Sequence, residues 1–261
     1  MKRDRQTVNI RQAEMLALIR ERQEVLVDEL SRTFDISPMT VRRDLQVLEE
    51  QGKINRFHGG ASAGARAAST DERDVVAQCQ RQIAYRAAQL VRSGERLLIN
   101  GSSTALALLN YLADKHVRVF TNNALVVGQH YPGGVEVQLS GGMLRGAQHI
   151  LTGDPTMRSL MDVRAERAFL GCTGISPDGT ILCGIPSELG INETMIEHAD
   201  RYYILADHTK IGKAGTYASF HLEKKGCVIT DELAPAEVLE QLRAIGMEVI
   251  QARAADFPDE A

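Results

Sequence analysis

The sequence predicts an α/β protein with a small N-terminal winged helix-turn-helix domain followed by a larger, mostly parallel α/β domain. The first domain is indicated by apolar residues at helical spacing and by a Ser-Pro pair that starts a helix. The second is indicated by apolar runs that alternate with helical segments over the rest of the chain. We place the two domains at residues 7–62 and 76–251, with a linker at residues 63–75.

The first two helices are predicted from their apolar spacing. Residues 8–20 carry apolar side chains near a 3.6-residue period, and the same period returns over residues 27–34. A third helix begins after a turn of about three residues, which is typical of a helix-turn-helix. The helix-turn-helix itself is therefore placed at about residues 24–43.

Ser37 and Pro38 mark the start of the third helix. Serine is a favoured N-cap residue, and proline is tolerated at the first helical position because its missing N–H would have no partner there. One face of this helix is apolar and is expected to pack on the other two helices: Val41, Leu45 and Leu48. The basic stretch 53–58 then predicts a short strand, the wing.

The stretch 61–70 contains no large apolar residue, so we interpret it as linker. Seven apolar runs beyond it predict strands: 96–100, 117–121, 135–139, 167–171, 202–206, 226–230 and 247–251. Five segments between or beside them predict helices: 74–92, 103–113, 154–162, 187–199 and 235–243. This alternation predicts a sheet covered on both faces, with ligands bound beyond the carboxyl ends of its strands.

Composition limits the functional classes. The chain is 44% hydrophobic and 25% charged, it lacks a run of about eighteen apolar residues, and its start lacks a signal-peptide core, so we expect a soluble cytoplasmic protein. Its four cysteines are far apart without zinc-ligand spacing, so reduced thiols, no metal and no cofactor are expected. The net charge is −4, and residues 1–60 hold eleven Lys/Arg against ten Asp/Glu. Charge alone therefore does not indicate nucleic-acid binding.

The free face of the third helix is the candidate DNA-binding surface. Arg42 and Arg43 point about 100° apart near the helix N-terminus that a recognition helix presents to the major groove. One is expected to contact guanine and the other phosphate, in an order left open, and Asp44 is expected to orient an arginine. For the arginine pair alone, a solvated helix face is the alternative. The remaining predicted DNA contacts are Ser37, Met39, Thr40 and Gln46 on the helix and Lys53, Arg56, His58, Gly59 and Gly60 on the wing.

The stretch "VDELSRTFDISPMTVRRDLQVLEEQGKINRFHGGA" closely resembles the winged helix-turn-helix of DeoR-type bacterial transcription regulators. It shares their arginine pair, the Leu-x-x-Leu-Glu continuation and the final His-Gly-Gly-Ala. The resemblance extends through the second domain to about residue 250. It implies a regulator that binds double-stranded operator DNA as a homo-oligomer, a dimer or a tetramer, with repression of a carbohydrate operon as the expected role.

Loops after the predicted strands form a candidate effector site. The loop 99–109 leaves a strand and enters a helix, so its N–H groups and hydroxyls could hold a phosphate, although N-capping explains them equally well. It is neither a Walker A loop nor a Gly-x-Gly-x-x-Gly fingerprint. Polar and glycine-rich loops also follow the later strands, and such loops converge at one sheet edge. The candidate residues are Ser102, Ser103, Thr104, Thr121, Asn122, Gly141, Gly142, Gly171, Gly174, Asp207 and Lys210.

The resemblance implies a second domain that is similar in fold to sugar-phosphate isomerases and that binds a phosphorylated sugar or a related metabolite. In place of the family's Asp-x-Gly-Ser/Thr-Thr, this chain has Asn100 followed by Gly-Ser-Ser-Thr. The family's Glu-x-x-x-Lys appears as Glu188 and Asn192, whereas Asp207 and Lys210 match its Asp-x-Ser-Lys. Asn100 and Glu188 thus join the candidate effector residues. Because one carboxylate and one ammonium are replaced, the resemblance does not fix which sugar binds.

Two other functions are open at this point. An isomerase-like enzyme could use Glu188, Asp207 and Lys210 for acid-base chemistry, but amides at positions 100 and 192 remove titratable groups. We therefore expect a binding protein and not an enzyme. A constitutive DNA-binding protein whose second domain only oligomerises is the other alternative. We favour a repressor that its ligand releases from DNA.

Overall fold

A computed structural model describes residues 11–19, 22, 24–50, 54–57, 60–63, 70–145, 149–213, 217–222 and 226–258. The chain divides into two compact units, Met1–Arg73 and Asp74–Ala261. The first contains the helix-turn-helix and the second a seven-stranded parallel sheet, so the predicted fold class is confirmed. No helix in the described ranges has the length and apolar character needed to cross a membrane.

The N-terminal unit combines helices with a small antiparallel sheet. Its elements are α1 (residues 11–19 as described), β1 (Glu24–Leu26), α2 (Val27–Phe34), α3 (Pro38–Glu50), β2 (Ile54–Phe57) and β3 (Gly60–Ala63). Strand β3 lies between β1 and β2 and pairs antiparallel with both. The predicted apolar face of α3 is buried against α1 and α2, in a core that includes Met15, Ile19, Leu30, Val41, Leu45 and Leu48.

The connection after the wing is shorter than the predicted linker at residues 63–75. Ala63 belongs to β3, and the next helix already begins at Thr70. Ala61, also assigned to the linker, is a buried residue of the N-terminal core. Alanine, glycine and serine hide the alternation that identifies a strand, yet small side chains fit a strand that has a neighbour on each side. Residues 64–69 lie outside the described residues.

The second unit follows the predicted alternation of strands and helices. Its elements are α4 (Thr70–Gln89, which begins four residues before the unit), β4 (Arg96–Ile99), α5 (Ser103–Ala107), β5 (Val117–Thr121), β6 (Val135–Leu139), β7 (Met143–Arg145), β8 (Ile150–Thr152), α6 (Asp154–Met161), β9 (Ala165–Gly171), β10 (Gly174–Ile175), β11 (Thr180–Cys183), α7 (Leu189–Glu197), β12 (Ala199–Leu205), β13 (Tyr217–His221), β14 (Gly226–Asp231), α8 (Ala236–Ala244) and β15 (Glu248–Ala252).

The main sheet has the strand order β15-β14-β12-β9-β4-β5-β6, and all of its pairs are parallel. Helices α4 and α5 contribute to the apolar core on one face, and α6, α7 and α8 contribute to the core on the other. The order of strands reverses between β4 and β9. A reversal of this kind opens a crevice at the carboxyl ends of the two strands, where α/β proteins bind ligands.

Two small antiparallel elements of the second unit were absent from the sequence prediction. Strands β7 and β8 form a hairpin, and β10, β11 and β13 form a three-stranded sheet. These strands contain two to five residues each, too few to show a clear period. The three-stranded sheet also joins segments that are far apart in the chain, since Thr180 pairs with His221.

Candidate functional site

The N-terminus of α3 carries the exposed polar face that was predicted to bind DNA. Ser37 caps the helix: its Oγ accepts a hydrogen bond from Thr40 N at 3.2 Å, and its carbonyl accepts one from Val41 N at 3.1 Å. Arg42 and Arg43 are both exposed on the first turns, and neither forms an ion pair among the described residues. The helix start is thus fixed by its cap while both guanidinium groups are available to a partner.

Asp44 orients an arginine, as expected, but the arginine comes from α1. The Asp44 carboxylate is buried and accepts hydrogen bonds from Arg11 Nε at 2.8 Å and from Gln12 Nε2 at 2.9 Å. This carboxylate therefore fastens α3 to α1. It also removes a negative charge from the surface on which Arg42 and Arg43 lie, which favours contact with a phosphate backbone.

The other predicted DNA contacts are only partly described. Met39 is 71% exposed and Gln46 is exposed on α3. On the wing, the backbone of Arg56 lies in β2 opposite Ala61, and Gly60 is a buried residue of β3 and not part of a turn. Lys53, His58, Gly59 and the side chain of Arg56 lie outside the described residues.

A cavity of about 180 Å³ lies at the carboxyl ends of β4 and β9, where the strand order reverses. The main sheet forms one wall, and β11 and β13 of the three-stranded sheet form another. The start of α7 closes a third side. Polar and apolar groups both line the cavity, including Asn100, Ser102, Ile150, Gly171, Cys172, Ile181, Cys183, Glu188, Asn192, Ile204, Ser219 and Phe220.

Asn100 links β4 to the end of β9 inside this cavity. Its Oδ1 accepts a hydrogen bond from Gly171 N at 3.0 Å, and its Nδ2 donates to Gly171 O and to Asn192 Oδ1, both at 3.0 Å. Oδ1 also accepts from Ser102 N at 3.2 Å. The Asn100 side chain thus pairs with the donors and acceptors around it. These hydrogen bonds fix the arrangement of residues 100–102 and 171, which we call the cavity floor.

Ser102 and Gly171 lie in close contact on the cavity floor. A Cβ atom at Gly171 would be 2.0 Å from Ser102 Oγ, so this strand end accepts only glycine beside a serine. Ser102 Oγ caps α5 by accepting from Ala105 N at 3.2 Å. The capping interpretation of this loop therefore accounts for the Ser102 hydroxyl.

Glu188 provides an unusual carboxyl group in the cavity wall. The residue is 7% exposed, and burial raises the pKa of its carboxyl from 4.5 to about 7. Near neutral pH the group is therefore divided between a form that accepts hydrogen bonds and a form that also donates one. Its neighbours are Gly101, whose added Cβ would lie 2.8 Å from Glu188 Oε1, and Cys183.

Ser219 on β13 places a buried hydroxyl in the cavity wall. The residue is 8% exposed, and its Oγ has no hydrogen-bond partner among the described residues. A buried hydroxyl without a partner is costly, and Ser219 is one of the residues that line the cavity. Ser219 was not a predicted site residue, because β13 itself was not predicted from the sequence.

The structure brings Asn100, Ser102, Gly171 and Glu188 together in the cavity, and leaves the other predicted effector residues outside its lining. Ser103 is exposed, while Thr104 is buried in α5. Thr121 and Asn122 are buried beside β8, Gly141 and Gly142 form a turn with φ angles of 71° and 118°, and Gly174 lies in β10. Their contact with an effector stays a prediction.

Asp207 and Lys210 lie after β12, outside the cavity lining. Asp207 is buried and accepts hydrogen bonds from Gln80 Nε2 at 2.8 Å and from Thr209 N at 3.0 Å. Lys210 is half-buried, and its charge acts on the cavity residue Cys172: burial raises the pKa of that thiol to about 12, and Lys210 opposes the rise. Lys210 therefore lies near Cys172, although it does not itself line the cavity.

Comparison with known proteins matches both units of the chain. Residues 11–66 match the DeoR-like helix-turn-helix domain, and residues 76–232 match the DeoR C terminal sensor domain. The chain is 32% identical to the HTH-type transcriptional repressor CsqR of Escherichia coli (strain K12) over 253 residues, covering 94% of this chain and 95% of that protein. It is 29% identical to the glycerol-3-phosphate regulon repressor of the same strain over 240 residues, covering 87% and 92% of the two chains.

Solved structures give a weaker match. Ribose 5-phosphate isomerase A from Neisseria gonorrhoeae is 13% identical and superimposes with a TM-score of 0.35 over 51% of this chain and 52% of its own. A likeness this low carries no argument about function. The two domain matches and the relatives that align over nearly the whole chain identify the family. The chain belongs to the DeoR family of transcriptional regulators, with a DeoR-like helix-turn-helix and a DeoR sensor domain.

Proposed function

We propose that the chain represses a carbohydrate-metabolism operon and that a phosphorylated sugar, or a related metabolite, releases it from the operator by binding in the cavity. The position of the cavity carries this proposal, since it lies at the carboxyl ends of β4 and β9 where the strand order reverses. The name of one relative, the glycerol-3-phosphate regulon repressor, describes a repressor of this kind.

The chemistry of the cavity suits the hydroxyl groups and the C–H faces of a sugar. Ser219 offers a hydroxyl without a partner among the described residues, and Glu188 can accept or donate a hydrogen bond near neutral pH. Ile150, Ile181 and Phe220 provide apolar surface between these polar groups. Small-ligand sites typically combine apolar walls with a few polar groups that fix orientation.

The charge distribution supports an orientation for the ligand. The described lining contains no lysine, arginine or histidine, so the cavity suits the uncharged part of a sugar phosphate. Lys210, which acts on Cys172 from outside the lining, is the group we assign to the phosphate. Asn192 supplies an amide where the family has a lysine, so it can bind a hydroxyl but adds no charge.

The exposed face of α3 is the surface we assign to operator DNA. Arg42 and Arg43 lie near its capped N-terminus, as in recognition helices that enter the major groove. We propose a cytoplasmic homo-oligomer that binds repeated half-sites. The ligand needs only to bind the DNA-competent and DNA-incompetent arrangements with different affinity. No proton transfer is required, in keeping with relatives that are transcriptional regulators.

The proposal is tested with the full chain and DNA fragments recovered from its own genome by binding. Sugar phosphates and the corresponding free sugars are screened by thermal shift, and each hit is then added to an operator-binding titration. We expect a sugar phosphate to raise Tm and to weaken operator binding by about tenfold or more, which corresponds to about 1.4 kcal/mol of coupling.

Two substitutions assign the response to the cavity. Ser219→Val replaces the unpartnered hydroxyl with a methyl group, and Lys210→Ala removes the proposed phosphate partner. Both should abolish the ligand response while operator binding persists. Ser159→Ala, on the exposed side of α6, is the matched control. Operator binding that no sugar phosphate alters would favour a constitutive DNA-binding protein, and turnover that Lys210→Ala abolishes would favour an isomerase.

A further inference from the structure

A second cluster of polar side chains lies at the carboxyl ends of β12 and β14, separate from the residues that line the cavity. Cys79 on α4, His208 after β12 and Asp231 at the end of β14 place a thiol, an imidazole and a carboxylate within 4.8 Å of one another. Cys79 and Asp231 are buried, and His208 is half-buried. These three positions are far apart in the sequence, which is why ligand spacing along the chain did not reveal them.

Hydrogen bonds hold this cluster in place. His208 N donates to Asp231 Oδ2 at 2.7 Å, and His208 Nδ1 lies 3.0 Å from Asp231 Oδ1. Leu233 N also donates to Asp231 Oδ1 at 2.9 Å. Backbone N–H groups therefore donate to both oxygens and orient the carboxylate. Metal ligands are commonly oriented by such hydrogen bonds to neighbouring groups.

The helix that carries Cys79 is fixed against the same segment. Gln80, the next residue on α4, donates from Nε2 to Asp207 Oδ2 at 2.8 Å. Two adjacent residues of α4 thus lie beside two adjacent residues that follow β12. Separating the Cys79 thiol from the His208 imidazole would also break the hydrogen bond between Gln80 and Asp207.

We propose that Cys79, His208 and Asp231 bind a divalent cation of the zinc class. A thiolate, an imidazole and a carboxylate are the donors that zinc prefers, whereas magnesium and calcium prefer oxygen donors alone. Around a tetrahedral ion these donor atoms lie roughly 3.5 Å apart. The pair His208 Nδ1 and Asp231 Oδ1, now 3.0 Å apart, would separate slightly, and no donor pair exceeds 4.8 Å. Three protein ligands leave the fourth position open to water or another small ligand.

Charge and proton balance are consistent with this site. The thiolate and the carboxylate together neutralise a dication, and the imidazole binds in its neutral form. If the ion takes Nδ1, the ring proton moves to Nε2. A thiol binds a metal ion as the thiolate, so metal binding releases the Cys79 proton into solution.

A bound ion would join α4 to two strands of the main sheet. Helix α4 is the first element after the short connection that follows β3. The ion would therefore anchor, on the sensor-domain side, the chain segment that leads to the helix-turn-helix.

Cobalt(II) is the probe that tests this site, because a thiolate ligand gives it a charge-transfer band and tetrahedral geometry gives intense visible bands. Untagged full-length protein, freed of metal by chelator, is titrated with Co²⁺ and then with Zn²⁺. We expect one equivalent of Co²⁺ per chain and its displacement by Zn²⁺.

Variants assign the spectrum to the three residues. Cys79→Ser should remove the thiolate band, and His208→Gln, at a half-buried position, should weaken binding by at least about 100-fold. Cys227→Ala, at a buried thiol in β14 outside the cluster, should leave the spectrum unchanged. Circular dichroism checks that each variant is folded. A thiolate band that persists in Cys79→Ser, or wild-type protein that shows no such band, overturns the proposal.

Discussion

Asn100 and Asn192 hydrogen-bond to each other inside the cavity, with Asn100 Nδ2 3.0 Å from Asn192 Oδ1. The family resemblance implies an acid and a lysine at these positions, so two neutral amides stand where charged groups are expected. Compared with an acid and a lysine, the two asparagines still connect the end of β4 to α7 by a hydrogen bond, but they carry no charge. The asparagine pair therefore changes which ligand groups the cavity can bind, while the hydrogen bonds between its walls remain.

This pairing predicts that the two positions are energetically coupled. Asn100→Asp alone places a carboxylate oxygen against Gly171 O, an acceptor, and should destabilise the protein by about 1 to 3 kcal/mol. Adding Asn192→Lys supplies an ammonium beside that carboxylate. Urea unfolding of the wild type, both single variants and the double variant should give a favourable coupling of about 0.5 to 3 kcal/mol. Strictly additive effects would show that the side chains do not act as a pair.

Glu188 predicts a specific dependence of stability on pH. The folded protein keeps its carboxyl proton up to about pH 7, whereas the unfolded chain releases it near pH 4.5. Glu188 therefore lowers the free energy of unfolding as pH rises through this window. The loss is roughly 3 kcal/mol in total, at about 1.4 kcal/mol per tenfold change in proton affinity, and it is constant above pH 7.

Glu188→Gln should remove this contribution. The difference in unfolding free energy between the variant and the wild type should grow in favour of the variant from about pH 4.5 to pH 7, as measured by urea unfolding at several pH values. Glu197→Gln, at the exposed last residue of α7, is the control and should follow the wild-type curve. Parallel curves for the wild type and Glu188→Gln would contradict the raised pKa.

The two arginines of α3 should differ in what they contribute to DNA binding. Arg42→Ala or Arg43→Ala should cost about 1 to 3 kcal/mol at the specific site, and relax the preference at one base pair, if that arginine is bidentate to guanine. A loss that is uniform over all sequences, with a shallower salt dependence, identifies a phosphate contact. Operator titrations at several salt concentrations measure both effects, and Arg158→Ala on α6 is the control.

Asp44 should affect DNA binding indirectly, because it stabilises the N-terminal unit that presents α3. Asp44→Ala leaves Arg11 without its carboxylate and should destabilise the N-terminal unit by about 2 kcal/mol, less than a fully buried pair because Arg11 retains 22% side-chain exposure. Hydrogen exchange of the α3 amides in the full chain measures this loss. The exposed Arg22–Glu29 pair is the comparison, and Glu29→Gln should cost less than about 1 kcal/mol. Equal effects of the two substitutions would mean that Asp44 has no special structural role.

The elements with strong local patterns were predictable from sequence. Strands such as Val117–Thr121 and Ala199–Leu205 are buried on both faces of a parallel sheet and therefore form apolar runs. The start of α3 was predictable because its Ser-Pro pair is a local signal. Ser102 and Gly171 were placed at strand ends by the same reasoning, whereas Asn100 became a candidate through the family resemblance. The structure brings all three to one cavity.

The remaining features depend on contacts between distant segments. Strands β10, β11 and β13 are short, and their pairing supplies Ile181, Ser219 and Phe220 to the cavity. No local period marks these residues. The Arg11 partner of Asp44 was missed for the same reason, because the two residues come from different helices. Sequence patterns locate elements, whereas these contacts depend on how the elements pack.

The long separation between β4 and β9 has a consequence for how the sensor domain folds. Strand β4 pairs on one side with β5, its next strand in the chain, and on the other with β9, some seventy residues later. Closing a loop of this length costs entropy before any contact compensates for it, so such pairings form slowly. During synthesis, the cavity floor cannot exist until β9 has left the ribosome. A sensor domain that binds its ligand in this cavity has therefore already formed the pairing between β4 and β9.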